Sequence, residues 1–109
     1  MRLHRIAHAR SGDKGDISDI SVIAYRSADY EFLRHHLTAQ LVGQHFGDIT
    51  TGPVERYEIP ALNALKFLLH NALGGGVTRS LNQDIHGKTL SSCLLELDLP
   101  DYVQPAGDG

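Results

Sequence analysis

Several residue types are scarce in this chain of 109 residues. It has no tryptophan, one methionine, one cysteine, four tyrosines and three phenylalanines. The single cysteine, Cys93, excludes an internal disulfide, which is typical of a protein in a reducing compartment. Because aromatic side chains are few, the core has to be built mainly from Leu, Ile, Val and Ala. The length predicts one domain over residues 3–99, followed by a flexible tail at 100–109.

A basic surface and long apolar runs are also absent. The formal net charge is −3 and the cations form no stripe, so we do not expect a nucleic-acid partner. No run of about 18 apolar residues is present, so we expect no membrane-spanning segment. Arg2, His4 and Arg5 are not followed by the apolar stretch of a secretory signal. We therefore expect a cytoplasmic protein that binds neither nucleic acid nor a membrane.

The apolar pattern predicts the element order ββαβαββ. Strands are expected at 3–9, 17–25, 54–59, 77–85 and 88–99, and helices at 28–46 and 60–73. The predicted fold class is α+β: a two-layer sandwich in which a mixed sheet of about five strands carries two helices on one face. The second and third strands are expected to be parallel and joined by a right-handed crossover, whereas the first two form an antiparallel hairpin.

The most unusual segment lies between the first two predicted strands. This loop has two glycines, two carboxylates and two cations, and it comprises Arg10, Ser11, Gly12, Asp13, Lys14, Gly15 and Asp16. Glycines let peptide N–H groups approach a ligand closely, and successive N–H groups can form an anion-binding nest. The same residue types are common in turns, so a solvated connector is the alternative. His8 is a candidate general base beside Asp13 or Asp16, or else a structural histidine.

A second glycine cluster follows the second predicted helix. The predicted topology returns this cluster to the sheet edge that holds the loop, where Lys14 and Arg79 would bind a carboxylate, a phosphate or a coenzyme A group. The alternative is a simple helix stop. We predict catalytic roles for His8, Asp13, Lys14 and Asp16. The predicted ligand-binding residues are Arg10, Ser11, Gly12, Gly15, Gly74, Gly75, Gly76, Thr78 and Arg79. We expect no cofactor and no metal site, because the histidine spacing matches no recognised ligand pattern.

Three sequence blocks, in this order along the chain, resemble one protein family. They are His8-Ala9-Arg10-Ser11-Gly12-Asp13-Lys14-Gly15-Asp16, Val54-Glu55-Arg56-Tyr57-Glu58-Ile59-Pro60 and Ala72-Leu73-Gly74-Gly75-Gly76-Val77-Thr78-Arg79-Ser80-Leu81. Together they resemble the C-terminal domain of AtuA-type acyclic terpene utilisation proteins. Asp19 and Ser21 depart from that pattern, in which an Asn and a Gly are common.

The resemblance implies a partner and a metabolic setting. In that family the small domain usually follows a much larger one, so a separately encoded large chain is implied here, in the breakdown of terpenoids through acyl-CoA intermediates. We expect a small subunit that acts as a binding and assembly module, and that also forms homo-oligomers because sheet edges need covering. The alternatives are the catalytic half of a hydratase or lyase acting on a CoA thioester, and a purely structural oligomerisation domain.

Overall fold

The structure is a computed structural model that describes residues 1–14, 17–47, 52–70 and 90–102, with the backbone alone at 13 and 14. The described residues form an antiparallel sheet of four strands and three α-helices, which confirms the α+β class. The strands are β1 (Ala7–Lys14), β2 (Ile17–Ala24), β3 (Val54–Ile59) and β4 (Ala64–His70). The helices are α1 (Ser27–His36), α2 (Ala39–Phe46) and α3 (Leu90–Leu94). The predicted strand at 77–85 lies outside the described residues.

The strand order in the sheet is β1-β2-β4-β3, and every neighbouring pair is antiparallel. The predicted β1–β2 hairpin is confirmed, with Ala7 opposite Ala24 and Lys14 opposite Ile17. The predicted pairing of the second and third strands is wrong, because β4 lies between β2 and β3. The described sheet is accordingly antiparallel rather than mixed.

The predicted helix at 60–73 is also wrong over its described part, residues 60–70. Pro60–Leu62 form a single 3-10 turn, Asn63 takes left-handed angles (φ 53, ψ 40), and the chain then reverses into β4. Asparagine tolerates this conformation better than most residues. β4 is a central strand with apolar residues on both faces. Its run Ala-Leu-Lys-Phe-Leu-Leu therefore lacks the strict alternation of apolar and polar residues that is typical of a strand, and its apolar spacing also fits a helix.

The helix expected at 28–46 is divided in two. Leu37 leaves the helical conformation, and Thr38 begins α2 by accepting a hydrogen bond from the Leu41 amide at 3.1 Å. Arg56 of β3 stabilises the end of α1. Its Nε donates to the Leu37 carbonyl at 3.0 Å and its Nη2 donates to the Arg34 carbonyl at 2.7 Å. A guanidinium placed there also complements the negative end of the helix dipole.

The strand expected at 88–99 is wrong over its described part. Residues Leu90–Leu94 are helical, and only an isolated antiparallel bridge joins Asp98 to Arg2 in the described ranges. A short apolar run does not distinguish a strand from a buried helix, and this ambiguity accounts for the error. Beyond the bridge, Tyr102 stacks on Phe32 of α1 with ring centroids 4.1 Å apart and donates to Asp29 at 3.0 Å.

The core lies between one face of the sheet and the helices. Alternate residues of β2 are buried, including Ile20 and Val22, and they share one cluster with Phe67 of β4. Leu33 of α1, Val42 and Phe46 of α2, and Leu94 of α3 belong to the same cluster. The described helices therefore lie on one face of the sheet, but only α1 and α2 correspond to a predicted helix.

Candidate functional site

The other face of the sheet, here called the outer face, points away from the three described helices. Strand pairing aligns its residues in cross-strand rows. One row runs Arg10–Ser21–Lys66–Tyr57 and the next runs Gly12–Asp19–Leu68–Glu55. A further row, at the far end from the β1–β2 turn, consists of His8, Ile23, Ala64 and Ile59. The outer face therefore mixes charged, hydroxyl and aliphatic side chains.

The most exposed large hydrophobic side chains of the described residues all lie on or beside the outer face. Tyr57 is 48% exposed, Tyr25 60% and Leu62 65%. Tyr25 follows β2 and stacks on His8 with ring centroids 5.4 Å apart, whereas Leu62 belongs to the turn between β3 and β4. The three exposed side chains are therefore on the side of the sheet that the described helices leave uncovered.

A pocket of about 380 Å³ opens at the His8 end of the outer face. Its polar lining residues are His8, Arg10 and Ser21. The rest of the lining is aliphatic and comes from Ile23, Ile59, Leu62 and Ala64. The geometry therefore offers hydrogen-bond donors next to an apolar surface.

A polar cluster occupies the opposite end of the outer face. His70 Nε2 lies 2.5 Å from Glu55 Oε2, and the Tyr57 hydroxyl donates to the other carboxylate oxygen. The hydrogen bond from Tyr57, and then that from His70, lowers the pKa of Glu55. The same bond to Glu55 raises the pKa of Tyr57. Sequence reasoning missed this cluster because Glu55 and His70 meet only through the register of β3 on β4.

The predicted loop at 10–16 is mostly strand, and this separates its residues. Arg10 to Lys14 belong to β1, so only residues 15 and 16 connect the strands. His8 and Arg10 share the outer face, whereas Ser11 lies on the face that packs against α3, with its Oγ 3.4 Å from Ser91 Oγ. A Cβ at Gly12 would meet the Asp19 carboxylate at an ordinary 3.7 Å, so close packing alone does not require this glycine.

The remaining predicted site residues lie outside what the structure describes. These are the side chains of Asp13 and Lys14, and all of Gly15, Asp16, Gly74, Gly75, Gly76, Thr78 and Arg79. The meeting of Lys14 with the glycine cluster stays a prediction. The register does place Lys14, Ile17 and His70 in one row, so β4 ends beside the β1–β2 turn.

His45 and Cys93 form the one described contact between an imidazole and a thiol. His45 Nε2 lies 2.8 Å from the Cys93 carbonyl oxygen and 4.0 Å from its Sγ. Since a carbonyl only accepts, Nε2 carries the proton and donates it there, which ties α2 to α3. This nitrogen is therefore not placed to take a proton from the thiol.

Among the described residues no group of three or more His, Cys, Asp or Glu side chains is arranged to hold a metal ion. None of the described helices is long and apolar enough to span a bilayer.

Comparison with known proteins gives one match. The family model described as the AtuA ferredoxin-like domain matches residues 1–100, a range that includes every described strand and helix. No curated protein and no solved structure matches the chain.

Proposed function

The chain belongs to the AtuA ferredoxin-like domain family, and on this premise we propose that it is a binding and assembly module of an AtuA-like system. Its outer face is the docking surface for a separately encoded large AtuA-type chain. The module serves the catabolism of acyl-CoA derivatives of terpenoids or related carboxylates. It acts in this role as a small subunit.

The exposed hydrophobic side chains of the outer face carry this proposal. Tyr25, Tyr57 and Leu62 border a surface that also presents two cations, Arg10 and Lys66. Protein interfaces are enriched in tyrosine and arginine, and hot spots favour them. The face that packs against the helices offers less apolar surface for docking, because its apolar side chains are already buried in the core.

An anion-binding cleft at the end of the sheet near the β1–β2 turn is a second part of the proposal. It would bring Lys14 together with Gly74–Gly76 and Arg79 to bind the phosphates or carboxylate of an acyl-CoA. The support is the register: β4 ends at His70, opposite Ile17, four residues before Gly74.

The test of docking is coexpression with a large AtuA-type chain, followed by size-exclusion chromatography. We expect one complex, which Leu62→Lys and Tyr57→Lys abolish because they place charge in the interface. Gln40→Lys, on the exposed surface of α2, is the matched control and should leave the complex intact. A chain that elutes only as its own oligomer, with or without the large chain, would instead assign the outer face to self-association.

A catalytic role is the second candidate, and the Glu55–His70 pair favours it. A carboxylate that orients an imidazole is a common acid–base arrangement. With Asp13, Lys14 and Asp16 near the β1–β2 turn, this pair would serve a hydratase or lyase step on a CoA thioester. His8, at the other end of the outer face, would take no part in that step. Hydration of an enoyl-CoA by the complex, lost in both His70→Gln and Asp13→Asn, would establish it. Unchanged turnover in both variants would exclude it.

A further inference from the structure

We infer that the pocket beside His8 and Arg10 binds a small monocarboxylate with an apolar body. The inference goes beyond the proposed function, because a ligand here requires neither the large chain nor the cleft near the β1–β2 turn. The sequence predicted site roles for both His8 and Arg10. The pocket that they line lies at the opposite end of the sheet from Lys14.

The shape and lining of the pocket indicate the apolar part of the ligand. Ile23, Ile59 and Leu62 enclose it from β2, β3 and the 3-10 turn. Its volume of about 380 Å³ falls in the range usual for small-molecule sites. An aliphatic chain in the pocket would cover Leu62, which is 65% exposed in the free chain.

The cations indicate the charged part of the ligand. Arg10 and Lys66 pair with Ser21 from opposite sides, so two positive charges flank one hydroxyl on the outer face. Among the described residues, neither cation has a carboxylate within ion-pair distance. None of the residues that line the pocket is acidic. Within the described ranges, the pocket therefore presents the Arg10 cation in its lining, with the Lys66 cation in the same cross-strand row.

The donor set favours a carboxylate over other anions. The Arg10 guanidinium presents two parallel N–H donors that match a carboxylate, and Ser21 adds a hydroxyl donor. His8, stacked on the Tyr25 ring, belongs to the same lining. The arrangement places one planar anionic group at the mouth and the apolar body among the aliphatic side chains.

The experiment is a titration of the isolated full chain, followed by amide chemical shifts. The probes are hexanoate and, at the same concentrations, hexanol, which has a similar apolar body without the charge. Hexanoate should shift the amides of His8, Arg10, Ser21 and Ile23, and hexanol should bind at least about tenfold more weakly. Inorganic phosphate is the third probe and should bind more weakly than hexanoate because it has no apolar part.

Variants distinguish an effect of the Arg10 charge on binding from a loss of folding. Arg10→Gln should weaken hexanoate binding about tenfold. Arg10→Lys should recover part of the loss, because lysine restores the positive charge but not the two parallel N–H donors of the guanidinium. Arg5→Gln changes an exposed cation outside the pocket and should have no effect. Dispersed amide spectra of each variant would verify folding.

Three results would overturn the inference. They are equal affinity for hexanol, equal affinity for phosphate, or shifts confined to residues outside the pocket. Each is measured without the large chain, so this failure leaves the docking proposal standing. Failure of the two wild-type chains to form a complex would likewise leave hexanoate binding to the isolated chain unaffected.

Discussion

The two faces of the sheet differ although they are built from the same four strands. Phe67 and Leu68 are neighbours in β4, yet Phe67 is fully buried under the helices and Leu68 lies in a row with Asp19 and Glu55. The face that packs against the helices therefore determines the stability of the fold, because its side chains form the buried core. The outer face is available for recognition, because its side chains are not needed to close the core.

The largest expected effect tests this contrast directly. Phe67→Ala should lower the free energy of unfolding by about 3–5 kcal/mol, since it leaves a cavity in the core. Leu68→Ala should cost about 1 kcal/mol or less. Urea denaturation of both variants measures the difference. Equal losses would show that the outer face is as tightly covered as the core.

The second prediction compares two cations. Arg56→Met removes the donors that satisfy the carbonyls of Arg34 and Leu37 and should cost about 1–3 kcal/mol. Lys66→Met, on the outer face, should change stability by about 0.5 kcal/mol or less. Thermal unfolding of both would measure the effect. A larger loss in Lys66→Met would assign the outer face a structural role.

The third prediction compares two hydroxyl side chains. Thr38→Ala removes the N-cap of α2 and should cost about 1 kcal/mol. Ser21→Ala should leave stability nearly unchanged, because its hydroxyl is assigned to binding. Circular dichroism during denaturation measures both. An equal cost would indicate that Ser21 also holds the sheet together.

The smallest effect concerns pH. Because hydrogen bonds from Tyr57 and His70 lower the pKa of Glu55, its charged form is favoured in the folded chain. The resulting stabilisation is complete above the unfolded value of about 4.3 and is lost as pH falls through the lowered folded pKa. The melting temperature of wild type should therefore exceed that of Glu55→Gln at neutral pH and converge with it in acid.

A direct titration sharpens this result. In Tyr57→Phe the strongest hydrogen bond to Glu55 is lost, so its carboxyl resonance should titrate at a higher pH than in wild type. An unchanged Glu55 titration would contradict the assigned bond.

The sequence predicts an element correctly where one face is polar and the other apolar. β2 alternates strictly between half-buried and buried residues, and its bounds were predicted to within one residue. β4 was missed because apolar residues occupy both of its faces, as at Leu68 and Leu69. Pro60 added to the error, because it suits a 3-10 turn as well as the first turn of an α-helix.

The candidate site was predictable only along single strands. His8 and Arg10 lie two residues apart on a strand, so their common face follows from alternation. The same alternation sends Ser11 to the other face. The pairing of Arg10 with Ser21 follows from the hairpin. Lys66, Glu55 and His70 reach the outer face because β4 pairs with β2 on one side and with β3 on the other. No local sequence pattern revealed the position of β4.

The contact between Arg2 and Asp98 has a kinetic consequence. It joins segments separated by almost the whole chain, whereas the β1–β2 hairpin joins residues close in sequence. Closing so long a loop costs more conformational entropy than closing the hairpin, so the contact between Arg2 and Asp98 should form after the folding barrier has been crossed. Weakening it would then accelerate unfolding and leave the refolding rate almost unchanged.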